Sequence, residues 1–188
     1  FLTENATLHF IQRDQICDDS LRLILQYTSP PLDSICQIIN KFSINSYAEQ
    51  INTFLINPDF RQKEMTEMGI DLKTTVFDDG SGLSVYNKIK PSDFSKLCYQ
   101  IFHSELFPVY LNTLSAGGED GTLKNRISKK EFKGRVFGKS GSMRNINNVV
   151  AFYHSPQDKW YSIIILINNI PAGTNVNDLL ELLCGVLP

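Results

Sequence analysis

The sequence predicts a layered α+β domain, an antiparallel sheet covered by helices. Three observations carry this. Helical periodicity fills the first two thirds of the chain, strand-like runs crowd the last third, and an apolar helix closes it. The 188 residues leave room for one ordinary domain or part of a larger one. Apolar residues at 42% and charged residues at 20% argue against a disordered chain. With 18 basic and 20 acidic side chains the net charge is −2, without the basic surplus of an electrostatic nucleic-acid binder, so no nucleic-acid partner is expected. The longest aliphatic run, Ile163 to Ile167, suits a buried strand and falls far short of the roughly 20 residues of a membrane helix.

Each element follows from local chemistry. Leu2 to Gln26 alternate loosely, with Leu21 to Gln26 reading as a short strand or helical turn. Tyr27-Thr-Ser-Pro-Pro-Leu32 ends an extended connector, because two prolines cannot continue a ladder or helix interior. A helix starts at about Asp33, a favourable first-turn or capping acid, with Ile35, Ile38, Ile39 and Phe42 on one stripe. The pattern breaks at Ser43-Ile44-Asn45-Ser46 and resumes through Tyr47, Ala48, Ile51, Phe54 and Leu55, which gives two helices and a polar corner. On local grounds the corner reads as a cap for the second helix. A polar helix-prone stretch covers Asn57 to Gly69, and Asp78-Asp-Gly-Ser-Gly-Leu83 is a loop whose glycines suit positive φ. Pro91 starts a helix to about His103, a short helix covers Phe107 to Thr113, and Ala116 to Gly121 is a second Gly-rich loop. Strands are expected over Gly134 to Ser142, Asn148 to His154 and Trp160 to Asn168, the last two forming a hairpin through Ser155-Pro-Gln-Asp158. The third is apolar at consecutive positions, as when both sheet faces are covered. Asp178 to Val186 is the closing helix.

Cys17, Cys36, Cys98 and Cys184 are scattered and form no C-x-x-C pair, so buried free thiols are expected rather than a zinc ribbon or redox dithiol. His9, His103 and His154 are equally dispersed. No metal and no cofactor is expected.

Two short patterns carry the chemistry. Ser43-x-Asn45 sits at the helical corner, and Lys139-Ser140-Gly141, followed by Ser142, sits on an expected strand. A random S-x-N is expected about 1.3 times in such a composition, whereas Lys-[Ser/Thr]-Gly is expected about 0.1 times. A strand lysine holds a fixed cation beside a groove, and the next hydroxyl can donate to a substrate carboxylate. Gly141 leaves room for a substrate strand, and the Ser142 N–H can form one arm of an oxyanion hole. The bland reading is an exposed lysine at a strand start with a glycine bulge.

Ser29-Pro-Pro-Leu32, Lys41-Phe-Ser-Ile-Asn45 and Tyr47-Ala-Glu-Gln50 resemble the penicillin-binding protein 4-type D-alanyl-D-alanine carboxypeptidases. The resemblance continues through Asp79-Gly-Ser-Gly-Leu-Ser84 with Asn87, Gly118-Glu-Asp-Gly-Thr-Leu123 with Arg126, and Gly138-Lys-Ser-Gly-Ser142. It implies a β-lactamase/transpeptidase-like fold and a serine peptidase of the bacterial periplasm or cell envelope. Such an enzyme cleaves peptidoglycan stem peptides, and sometimes cross-links, through an acyl-serine that β-lactams trap. Ser43 then matches the hydroxyl that relays a proton to the leaving amine, and Asn45 the side chain that orients the substrate amide. Lys139 supports the electrostatics, and Ser140, in place of the usual Thr, holds the terminal carboxylate.

One motif is missing: none of the 16 serines has a lysine three positions later, so no S-x-x-K nucleophile is present. The resemblance therefore implies that residues 1–28 are a return segment from an upstream insertion. Residues 29–188 are then the C-terminal part of the domain, inactive alone, and a dimer or swapped assembly is expected to cover an exposed sheet edge. A non-catalytic peptidoglycan or β-lactam-recognising module is the alternative. A serine β-lactamase is a third reading that fits the Asp79 and Asp120 loops poorly.

Overall fold

The computed structural model describes residues 28–55, 57–170 and 176–188, so the readings of Leu2 to Gln26 and of Cys17 lie outside the described residues. Pro31, extended at ψ 153°, delivers the chain into α1 (Leu32–Phe42). Asp33 lies in the first turn rather than at the cap, where its carboxylate accepts from the Ser34 N–H. After α1 come α2 (Asn45–Leu55) and α3 (Pro58–Glu67), the latter capped by Asn57, which accepts from the N–H groups of Asp59 and Phe60. The helices α4 (Pro91–Phe102) and α5 (Phe107–Thr113) follow. Proline occupies the first turn of α3, α4 and α5, where its missing N–H breaks no helical bond.

The sheet is antiparallel throughout, in the order β1 (Ser115–Ala116), β2 (Val136–Met143), β3 (Ile146–His154), β4 (Trp160–Asn168). Two features depart from the sequence expectation: β3 begins at Ile146, and the two-residue β1 adds a strand. A tight turn joins β2 to β3 with Asn145 at φ 63°. The Ser155–Asp158 turn closes the other hairpin through Ser155 N–H to Lys159 carbonyl at 2.8 Å. The closing helix α6 spans Val176–Val186.

Strand alternation divides the core between the two sheet faces. On one face, Val136, Val149, Ala151, Tyr153, Ile163 and Ile165 pack with Val176, Leu180 and Cys184 of α6 and with Leu123, Ile127 and Phe132. On the other, Phe137, Val150, Phe152 and Trp160 meet Cys98, Ile101 and Phe102 of α4 and Phe107, Tyr110 and Leu111 of α5. The result is three layers, with α6 and α4–α5 sandwiching the sheet, which explains the unbroken apolar run of β4. Burial pushes the Cys98 thiol up to about 11, and burial followed by Glu181 pushes Cys184 up to about 12, so both are packing groups. Against α5 lies α1, through Asn40 donating to the Thr113 hydroxyl at 2.9 Å and Gln37 to the Asn112 carbonyl at 3.1 Å. These contacts bring the α1–α2 corner beside β2.

Candidate active site

The site is built where the α1–α2 corner meets β2. Ser43 ends α1 in the left-handed region, φ 56° and ψ 50°, and this reversal starts α2 two residues later at Asn45. A left-handed conformation costs a non-glycine residue about 1–2 kcal/mol, so the surroundings must hold it. They do so through the loop after β1. Asp120 forms an ion pair with Lys41, at 2.5 Å, and accepts the Ala116 N–H at 2.7 Å. Burial pushes the Asp120 carboxyl up, but the hydrogen bonds from Lys41 and Ala116 outweigh it and hold it below the usual carboxylate range. Gly121, at φ 55°, lets the loop approach this closely: a Cβ there would lie 3.0 Å from the Lys41 carbonyl and 2.3 Å from the Ser115 hydroxyl.

Across the groove, Lys139 donates to the Ser43 hydroxyl at 3.0 Å and to the Ser140 carbonyl at 2.5 Å. It is half-buried in mid-strand, not an exposed lysine at a strand start. Burial first, and the Arg126 charge second, lower the ammonium below the ordinary lysine range.

The backbone of β2 adds a second feature. β1 pairs only with Phe137 and Gly138, so from Lys139 to Met143 that edge has no strand partner among the described residues. The Val136 carbonyl accepts from Gly117, on the β1 side. Antiparallel alternation therefore aims the N–H and C=O groups of Gly138, Ser140 and Ser142 at the same edge. A Cβ on Gly141 would meet nothing within 4 Å, so internal packing does not demand glycine there.

Ser140 is buried at 8% exposure on the α6 face, opposite to Lys139, and its hydroxyl has no partner among the described residues. Ser142 is exposed on the same face as Ser140, and its hydroxyl accepts from Arg126 Nη2 at 3.0 Å. Asn45 is exposed at the first residue of α2, and its side chain makes no hydrogen bond among the described residues. The capping reading of the corner thus has no bond to support it. The structure joins Ser43 directly to Lys139, aims the backbone groups of Ser140 and Ser142 at the open edge with Gly141 between them, and leaves the Asn45 side chain without a hydrogen bond among the described residues.

A second carboxylate organises the far side of α2. Asp79 accepts from the Ser81 hydroxyl at 2.6 Å, the Gly82 and Leu83 N–H groups at 2.9 and 3.1 Å, and Asn87 Nδ2 at 2.5 Å. Burial pushes this carboxyl up, but the hydrogen bonds outweigh it and bring it down to about 2. Glu49, one turn into α2 from Asn45, accepts the Gly80 N–H at 2.7 Å and ties the loop to the helix. Gly82 takes the positive φ the sequence suggested, 79°, whereas Gly80 is small because Asn52 and the Ala48 carbonyl crowd it. Sequence reasoning gave roles to neither Lys41, Glu49 nor Arg126. Their partners lie 79, 31 and 16–51 residues away, where no local period operates.

A D-alanyl-D-alanine carboxypeptidase of Haemophilus influenzae is 24% identical over 167 residues, covering 81% of this chain and 35% of the relative. The chain thus spans about a third of that relative's length. The crystal structure of penicillin-binding protein 4 from Haemophilus influenzae superposes with a TM-score of 0.70 at 20% identity, over 82% of this chain and 40% of that one. An extended-spectrum β-lactamase matches at a TM-score of 0.64 and 14% identity, over 82% of this chain and 63% of that one. These likenesses establish the β-lactamase/transpeptidase-like fold. The family model described as D-Ala-D-Ala carboxypeptidase 3 (S13) matches residues 11–182, and the chain belongs to that family.

Proposed function

We propose that this chain supplies one wall of the active site of a serine-type D-Ala-D-Ala carboxypeptidase acting on peptidoglycan stem peptides in the bacterial cell envelope. The observation that carries the reading is the Lys139–Ser43 hydrogen bond beside the unpaired edge of β2. A substrate strand adds to that edge, where Ser142 offers its N–H to the carbonyl oxygen that becomes the oxyanion. A serine hydroxyl from an S-x-x-K motif outside these 188 residues attacks the carbonyl carbon, and the C–N bond to the terminal D-alanine breaks. Ser43, hydrogen-bonded to Lys139, passes the proton to the departing amine, so the amine leaves neutral. Asn45 orients the substrate amide, and Ser140 donates to the terminal carboxylate. A β-lactam enters the same site as a cyclic amide, and its acyl-serine persists. Cleavage of cross-links by the same chemistry requires only that the groove admit a longer leaving group.

A second reading is a module that recognises peptidoglycan or β-lactams without cutting them. Intact-mass spectrometry after exposure to a penicillin separates the two, with the longest natural form of the protein and the 188-residue chain run in parallel. The enzyme reading expects a stable one-to-one adduct on the long form only. No adduct on a correctly folded long form supports the non-catalytic module.

A further inference from the structure

Charge is unevenly placed along this chain. Residues 124–135 hold six basic side chains and one acid, net +5 in a chain of net −2, so the other 176 residues carry −7. Two of the six turn inward. Arg126 bonds to Asn147, Asn177 and Ser142, and Arg135 donates to the His154 and Ser155 carbonyls at 3.4 and 3.5 Å. Lys124, Lys129, Lys130 and Lys133 are exposed, and none has an ion-pair partner among the described residues. The neighbouring acids, Glu131 and the Glu119 that lies against Gly134, pair with none of the four. Like charges gathered without a counter-ion repel, and an incoming anionic surface relieves them.

The backbone beneath these lysines is fixed. Glu181 of α6, buried at 6% exposure, accepts from the Ser128 N–H at 2.5 Å, the Lys129 N–H at 2.8 Å and the Ser128 hydroxyl at 3.0 Å. Phe132 plugs into the core, Gly134 donates to the Gly117 carbonyl at 2.9 Å, and the Lys129 ammonium stands 5.7 Å over the Phe132 ring. The loop is therefore set before any partner arrives, which lowers the ordering cost of binding.

The surface continues onto α6. A Cβ on Gly185 would lie 3.7 Å from Phe132 Cζ, and Leu182 and Val186, on either side of Gly185, are 59% and 66% exposed. Lysines beside exposed aliphatic side chains suit a lipid interface, where headgroup phosphates meet the ammonium groups and the acyl boundary takes the apolar ones. A soluble polyanion would leave Leu182 and Val186 in water. We propose that Lys124, Lys129, Lys130 and Lys133, with Leu182 and Val186, dock this protein on the surface of an anionic lipid bilayer. The docking surface requires nothing of the carboxypeptidase reading.

The test is co-sedimentation of the longest natural form of the protein with vesicles of equal parts phosphatidylglycerol and phosphatidylcholine, against vesicles of phosphatidylcholine alone. The wild type is expected to sediment with the anionic vesicles only, and less as salt rises. Changing the four lysines together to Gln should weaken binding by about 10² or more at low salt. Leu182→Ser with Val186→Ser should weaken it by about tenfold. All six positions are exposed, and circular dichroism checks that each variant is folded. No binding by the folded wild type overturns the proposal and means that another part of the longer protein covers this surface. Equal binding to both vesicles, or binding unchanged in the lysine variant, overturns it as well. Binding that needs the lysines but not Leu182 and Val186 overturns the lipid assignment in favour of a soluble polyanion.

Discussion

The two halves of β2 run through the same strand and pair with the same neighbour, β3, yet their other edges differ. Val136 to Gly138 are held on both sides, by β1 with the Gly117 that follows it and by β3. In that half, a Cβ on Gly138 would lie 2.5 Å from the Val150 carbonyl and 2.7 Å from the Ala151 Cβ. From Lys139 onward the strand is held on one side only, and Gly141 faces open space. Two glycines three positions apart therefore differ: one is required by the packed interior, and the other is not. A closed half fixes the strand's twist and register, and the open half leaves the backbone groups of Ser140 and Ser142 without a strand partner among the described residues.

Substitutions can break this contrast. In the longest natural form of the protein, the proposed mechanism expects Lys139→Ala or Ser43→Ala to lower the rate of acylation by a penicillin by about 10² or more, read by stopped-flow or quenched mass spectrometry. An unchanged rate would remove both from the mechanism. Gly138→Ala should destabilise the fold by about 1–3 kcal/mol in a denaturant melt, because the added methyl meets backbone, whereas Gly141→Ala should leave the midpoint unchanged. Equal midpoints for the two alanine variants would mean that the halves do not differ.

The two carboxylate clasps that frame the corner make a smaller test. Asp79→Ala removes an acceptor of several hydrogen bonds and should cost about 1.5–3 kcal/mol, with fluorescence of nearby Tyr86 reporting the loop. Asp120→Asn loosens the grip on α1 through Lys41, a half-exposed pair, and should cost about 1 kcal/mol or less in stability. Its acylation defect should exceed its stability defect, because Ser43 loses its placement. The acid dependence has a definite sign. The folded Asp79 carboxyl titrates at about 2, below the unfolded value of 3.8, so its contribution is fully present above about pH 4 and is lost as pH falls towards 2. Asp79→Asn should flatten that part of the stability profile. For Lys139, removing the Arg126 charge should move the amine's titration upward, so the alkaline limb of acylation in Arg126→Gln should shift to higher pH.

Much of this was legible in the sequence because helical and strand periodicity are local. The 3.6-residue stripe of Ile35, Ile38, Ile39 and Phe42 gave α1, and the consecutive apolar residues Ile163 to Ile167 gave a strand covered on both faces. Short motifs located Ser43 and Lys139, which the fold brings together across 96 residues. Their contact could not be read from spacing, since it depends on how α1 packs against α5 and how β1 hands the chain to β2. For the same reason the Lys41–Asp120 clasp was invisible: each residue lies in a recognisable segment, but neither segment indicates that they touch. β1 escaped notice because two residues carry no period. The capping reading of the corner failed because the left-handed Ser43, rather than a side-chain bond from Asn45, turns the chain.

The central claim is that the open half of β2 is the peptide-binding edge. The most direct measurement is a backbone amide NMR titration of the chain with N-acetyl-D-Ala-D-Ala, followed at Gly138, Ser140, Gly141 and Ser142. The amides of Ser140 and Ser142 should shift in a saturable way, with Gly138 nearly unmoved behind β1. Shifts confined to other surfaces, with Ser140 and Ser142 unmoved, would contradict the account.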